Sequence, residues 1–171
     1  QRLRRAIVFD PMARSLQAGA ADGHTLSTAG EEIPVILLVD TDILIDFALD
    51  RRPHAAPAGE LLDALERRQA TGFIAWHSVS NFHYLVVSKQ GSSATKAFLL
   101  ELLRFVQVAP TSTDSVRYAA SLPMRDFEDA LQVAAAVACG ANTIATRNVR
   151  DYARGPVRAT TPTILLKELG K

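Results

Sequence analysis

The chain has 171 residues, 48% of them apolar, with 19 Lys and Arg against 18 Asp and Glu for a formal net charge of +1. That length supports one ordinary domain with a hydrophobic core, and the apolar fraction excludes a disordered chain. The near balance of charge excludes a chain-wide polycation, so a polyanion must be met by a local patch or through metal ions.

Residues 1–34 open with the basic "QRLRR" and continue through "SLQAGAADGHTLSTAGEEIP", with no sustained period and no apolar face. They read as a poorly ordered extension, with a basic arm touching nucleic acid as the alternative. They lack the apolar core and cleavage site of a secretory signal. From Val35 onward the pattern is regular, and residues 35–171 read as one domain. "VILLV" (35–39) is a short apolar run, the mark of a buried strand. "ILIDFAL" follows as a helix with Thr41 or Asp42 as N-cap. "AGELLDALERRQA" repeats Leu61, Leu62 and Leu65 at helical spacing, with Gly72 as its stop. "FIAW" reads as a second buried strand. "SVSNFHYLVVSK" reads as a helix capped by Ser78 or Ser80, with Val79, Phe82, Leu85 and Val86 as its apolar stripe. "SSATKAFLLELLRF" is a further helix, "VQVAP" a strand and "STDSVRYAASL" a helix. "DFEDALQVAAAVACG" is a buried helix ended by Gly140, "NTIAT" a strand, and "TPTILLKEL" a closing helix with Pro162 in its first turn.

Apolar strands interleaved with amphipathic helices predict an α/β fold, a parallel sheet sandwiched by helices. The one cysteine, Cys139, lies in an apolar run and reads as a buried, inert thiol. A single cysteine permits no internal disulfide and suits a reducing, cytoplasmic setting. No apolar run reaches the roughly 18–20 residues of a membrane span, so no membrane partner is expected.

In parallel sheets, sites form beyond the carboxyl ends of the strands. Asp40 and Asp42 follow the first strand there, and Asn148 and Asp151 follow "NTIAT". The helix before "NTIAT" must start at the same edge, so Asp126, Glu128 and Asp129 face that rim. Converging acids repel unless neutralised. Carboxylates without a supporting Cys or His set point to Mg²⁺ or Mn²⁺, held together with waters and substrate phosphates. Such an ion suits a nuclease or phosphatase. The alternatives are plainer. Asp126 and Asp129 have N-cap and N3 spacing, Asp42 has a cap position, and Asp151 reads equally as a loop acid. Asp40 is the hardest to read this way, because an unpaired charge directly after a buried strand is costly.

Three stretches carry a resemblance: "LLVDTDILIDFAL", "DFEDALQVAAAVACGANTIATRNVRDY" and "PVRATTPTILLKEL". Across about residues 35–169 they resemble PIN-domain proteins, in particular the VapC-like toxins of toxin–antitoxin modules. The resemblance implies a three-layer α/β/α fold and a Mg²⁺- or Mn²⁺-dependent endoribonuclease. It implies Asp40, Asp129 and Asp151 as metal-binding catalytic acids, with Thr41, Asn81, Asp126 and Asn148 in support. It also implies an RNA substrate, a cognate antitoxin and a homodimer, for which Phe47 and Leu49 are candidate contacts that core burial explains equally well. One departure stands out. The family usually carries a Glu on the helix after the second strand, and Asn81 takes that place, with an amide in place of a charge.

Arg147, Arg150 and Arg125 lie beside the acids, and Arg51 and Arg52 follow the first helix; of these, Arg147 and Arg150 are the candidate RNA contacts. Trp76 and His77 read as core, with base stacking as the alternative, and His83 as an exposed or packed histidine. Two other functions compete with the nuclease. One is a catalytically weak PIN fold that binds RNA or protein, motivated by Asn81. The other is a receiver-like or phosphatase domain, disfavoured by the lack of a strand-end Lys.

Overall fold

The structure, a computed structural model, describes residues 35–170. The expectation of a poorly ordered extension over residues 1–34 lies outside the described residues. The elements in chain order are β1 (Ile36–Val39), α1 (Thr41–Ala48), α2 (Ala55–Glu66), β2 (Thr71–Ile74), α3 (Trp76–Gln90), α4 (Ser92–Leu102) and β3 (Val106–Val108). Then come α5 (Thr113–Ser121), α6 (Phe127–Ala138), β4 (Thr143–Ala145), a 3-10 turn (Val149–Tyr152), β5 (Arg158–Thr160) and α7 (Pro162–Leu169).

The five strands are all parallel, in the order β3-β2-β1-β4-β5. Successive side chains of a strand face opposite sides of its sheet. Leu37 and Val39 of β1 join the core on one face, with α1, α2, α3, α4 and α7. Leu38 joins the core on the other face, with Val133, Ala135 and Ala136 of α6. Helix α5 covers the outer side of α6 through Ala119, Ala130 and Ala134. This is the three-layer α/β/α arrangement expected, a parallel sheet with helices on both faces. No helix among the described residues is long and apolar enough to cross a membrane.

The chain builds β1, β2 and β3 outward in one direction, then returns through α5 and α6 to place β4 on the other side of β1. Strand order reverses between β1 and β4. Loops diverge at such a point and leave a crevice beyond the carboxyl ends of the strands. Asp40 and Thr146 are the residues that leave β1 and β4 at this crevice. The Asp40 backbone N–H donates to the Ala145 carbonyl at 3.0 Å, so the pairing of the two strands runs up to the acid itself.

Several element ends differ from expectation. Helix α1 begins at Thr41 with Asp40 as N-cap, but the Asp40 side chain makes no capping bond. Gly72 does not stop α2, which ends at Glu66; it lies inside β2. A Cβ there would come within 2.8 Å of Leu65 Cδ1, so the strand and α2 pack too closely for a side chain. Trp76 begins α3 and does not end a strand, and Ser78 is buried within the helix and does not cap it. Leu85 drops out of the α3 apolar stripe and is exposed, whereas Phe82 and Val86 are fully buried. Phe47 is buried in the core and Leu49 is half-buried against it. Gly140 ends α6 with φ +68, a backbone conformation that glycine adopts without a steric penalty.

Candidate active site

Asp40 is 7% exposed. Its Oδ2 accepts from Thr146 Oγ1 at 2.7 Å, and its Oδ1 accepts from Gln132 Nε2 at 3.4 Å. Burial, helped by the charges of Asp42 and Asp129, pushes its carboxyl up to about 6, against the hydrogen bond from Thr146. The Thr146 side chain, just past β4, and the Gln132 side chain of α6 hold this carboxylate from two sides. Gln132 Nε2 also donates to Thr41 Oγ1 and Ser78 Oγ, each at 3.0 Å, and Thr41 Oγ1 donates to Ser78 Oγ at 2.8 Å. This buried network joins β1, α1, α3 and α6 behind the acid, and shared donors of this kind rigidify a site.

Asp129 projects from the first turn of α6. Its carboxyl is also raised to about 6, by burial first and then by Asp126 and Asp151. The Tyr152 hydroxyl lies between the two raised acids and is coupled to both. Tyr152 is 2% exposed, and its hydroxyl has no well-aligned hydrogen-bond partner. Burial first, then the charges of Asp40 and Asp129, push the phenol up, so it stays protonated and able to donate.

The other expected residues take more varied places. Asp126 caps α6, accepting from Glu128 N at 2.7 Å and Asp129 N at 3.4 Å. It thereby orients the turn that carries Asp129. Asp151 is exposed in the 3-10 turn, within electrostatic reach of Asp129. Asn148 Nδ2 donates to Asp42 Oδ2 at 2.8 Å, and its backbone N–H donates to Thr146 Oγ1 at 3.0 Å. Asn81 Nδ2 donates to Glu128 Oε1 at 2.7 Å, across from α3 to α6. His77, one turn before Asn81, is lowered by burial against the opposing pull of Glu128.

Arg147 does not face the carboxylate crevice as a free cation. Its Nε bonds Asp42 Oδ2 at 3.1 Å and its Nη1 bonds Asp46 Oδ1 at 2.9 Å. Asp46 is completely buried, and burial raises its carboxyl despite Arg147. Arg150 is exposed and makes no ion pair among the described residues. Trp76, expected in the core, is 66% exposed and lines a surface groove of about 440 Å³ with Val79, Ser80, His83 and Leu99.

Sequence reasoning misses Gln132, Ser78, Thr146, the hydroxyl of Tyr152 and the role of Asp46. Two of these carry a legible signal. Gln132 and Asp46 are single polar residues inside apolar helical runs, where a polar group needs a partner.

The oxygens fit a hard divalent cation. Asp40, Asp129, Asp126 and Asp151 pair with no Lys or Arg among the described residues. Their mutual repulsion is therefore uncompensated by the protein. No group of three or more His, Cys, Asp or Glu among the described residues is arranged to chelate a metal unaided. Mg²⁺ does not require that: it is commonly held by one or two carboxylates, with waters and substrate phosphates completing its shell.

Comparison with known proteins agrees with this fold. A search of curated proteins returns no match. A solved structure described as VapBC2 from Rickettsia felis bound to a DNA fragment from its promoter matches with a TM-score of 0.58. Its identity to this chain is 19%, over 74% of this chain and 98% of that one, a likeness of fold. The family profile described as PIN domain matches residues 36–150, which runs from β1 through the carboxylate crevice to the 3-10 turn. A parallel sheet with acids gathered at its switch point, and a family match spanning both, make this chain a member of the PIN-domain family.

Proposed function

We propose that the protein is a Mg²⁺- or Mn²⁺-dependent endoribonuclease, of the kind that serves as the toxin of a toxin–antitoxin pair. The observation that carries this reading is the pair Asp40 and Asp129. Both are raised to about 6 by burial and by neighbouring acids, and neither has a cationic partner among the described residues. Acids kept in that state are unfavourable for folding, and a cation relieves them. Asp40, Asp129 and Asp151 would hold the ion, directly or through its waters. When bound, it activates water and stabilises charge on the phosphodiester.

The remaining work falls to the chain's own side chains. Thr146 and Gln132 aim the Asp40 carboxylate, and Asp126 fixes the turn that presents Asp129. Thr41 and Ser78 hold Gln132 in place. Tyr152 donates its proton into the space between the acids. Asn148, turned by Asp42, offers its carbonyl toward the rim. Arg150 meets the RNA phosphate, a role assigned to it ahead of Arg147 because the Arg147 guanidinium is engaged elsewhere. The fold shared with the VapBC2 structure supports an antitoxin partner, and homodimerisation is part of the same reading.

Asp40→Asn tests the reading. Loss of a residue that merely supports a metal ligand costs about 10–100-fold, so loss of a ligand should cut RNA cleavage more than about 100-fold. The circular dichroism spectrum should not change. Cleavage by D40N at the wild-type rate would sink the assignment. A second reading, a PIN fold that binds RNA or protein without cutting, is favoured by the neutral Asn81. Calorimetry with Mn²⁺ separates the two, because only the nuclease requires uptake of the ion.

A further inference from the structure

Asn81 stands on α3 where the family resemblance leads one to expect a carboxylate, yet its amide is not idle. Nδ2 donates to Glu128 Oε1 at 2.7 Å, a contact between residues 47 positions apart. A carboxylate only accepts, so the amide must present its N–H₂ to Glu128 and turn its own oxygen away. Glu128 directly precedes Asp129 in the first turn of α6. Its charge acts on Asp129 on one side and on His77 of α3 on the other. It pairs with no Lys or Arg among the described residues. The Tyr152 hydroxyl is buried between Asp40 and Asp129 with no settled partner, a donor directed into the acid site.

We propose that Glu128 is the fourth carboxylate of the site, carried on α6 rather than on α3, and that Asn81 is the residue that positions it. The inference rests on the metal-dependent reading above. A flexible glutamate on an exposed helix start samples many rotamers, and ordering it on cation binding costs conformational entropy. The Asn81 hydrogen bond restricts it in advance. The side chains of positions 81 and 128 meet at one point, so a carboxylate can be delivered there from either helix. Asparagine at 81 thus moves the charge from one helix to the other and does not delete it. Helix α6 then supplies two consecutive acids, Glu128 and Asp129, whose turn is held by the Asp126 cap.

Binding of Mn²⁺ to the full chain, followed by calorimetry and by the electron paramagnetic resonance of free Mn²⁺, tests this without relying on cleavage. Glu128→Gln keeps an acceptor for Asn81 and removes only the charge. It should weaken Mn²⁺ binding about tenfold or more, with the metal-free melting temperature not lowered. Asn81→Ala keeps the charge and releases it, and should give a smaller loss. The double variant N81E/E128Q returns the carboxylate from α3 and should recover most of the lost affinity, which a purely structural tether would not do. If E128Q binds Mn²⁺ like the wild type while D40N does not, Glu128 only ties two helices together and this proposal falls alone. If the wild type takes up no Mn²⁺, the proposal falls together with the metal reading beneath it.

Discussion

Asp42 and Asp46 lie one turn apart on α1, and the guanidinium of Arg147 reaches both. Asp40, only two residues before Asp42, faces Asp129 and meets hydroxyl and amide donors but no cation among the described residues. Both clusters contain a buried carboxylate, and burial raises Asp46 as well as Asp40. The difference lies in what answers the charge. In the first cluster the chain supplies its own counter-ion, and the result ties α1 to the segment after β4. In the second it supplies only orientation and leaves the charge for something from outside. Acid content alone does not separate a structural cluster from a functional one; the presence of an internal cation does.

Removing the cation from the compensated cluster should have the largest effect on folding. Arg147→Ala leaves the buried Asp46 with the more distant Arg51, at 3.7 Å, as its one remaining salt-bridge partner among the described residues. Breaking a buried pair costs about 3–5 kcal/mol, which denaturant unfolding will measure. A loss below about 1 kcal/mol would mean that Arg147 is no anchor. The matching change in the uncompensated cluster should act in the opposite direction. Asp40 has a folded value of about 6 against an ordinary 3.8, so the folded state holds its proton more tightly than the unfolded chain. Stability from this group is therefore present at low pH and is lost as pH rises from 3.8 through about 6. In metal-free buffer near neutrality, Asp40→Asn should stabilise the protein by at most about 3 kcal/mol. That gain should vanish below pH 3.8, where the wild-type group is protonated in both states. A destabilising D40N at neutral pH would show that the two clusters do not differ as described. Added Mn²⁺ should stabilise the wild type and leave D40N nearly unmoved, and this uptake should weaken below about pH 6 as protons compete for both raised acids.

The smallest effect is expected at Arg150, which is exposed and outside both clusters. Arg150→Ala should leave stability within about 0.5 kcal/mol of wild type. It should weaken RNA binding modestly and flatten its dependence on salt, as loss of one phosphate contact does. An unchanged salt dependence would remove Arg150 from the RNA surface.

Much of the fold is legible in the sequence. "VILLV" and "NTIAT" are too short and too apolar to be anything but buried strands once they alternate with amphipathic helices, and both are strands of the parallel sheet. The errors fall at element ends, for identifiable reasons. Ser78 has the chemistry of a cap, but Gln132 and Thr41 offered its hydroxyl buried partners instead. Gly72 looks like a helix stop, yet it is required by the close approach of Leu65 to the strand, a contact that only packing creates. Trp76 looks like core by its size, but it falls on the first turn of α3, where the helix surface faces the groove.

The candidate site divides in the same way. The edge at which Asp40, Asp126, Asp129, Asn148 and Asp151 gather could be read from the local pattern, because a residue at the end of a strand or the start of a helix carries its position there, whereas Asp40, Asp129 and Asp151 as a metal-binding set came only from the family resemblance. The pairing of Arg147 with Asp42 and Asp46, and of Asn81 with Glu128, could not. Each joins residues 47 to 105 positions apart, and no local period links them. The sequence by itself determined the elements, their parallel arrangement and the edge at which the acids gather, because those follow from short-range periodicity and the geometry of a strand feeding a helix. The tertiary structure alone decided which of those acids are answered by an arginine and which are left charged against one another. That choice depends on how β1 and β4 come to lie side by side across a hundred residues of intervening chain.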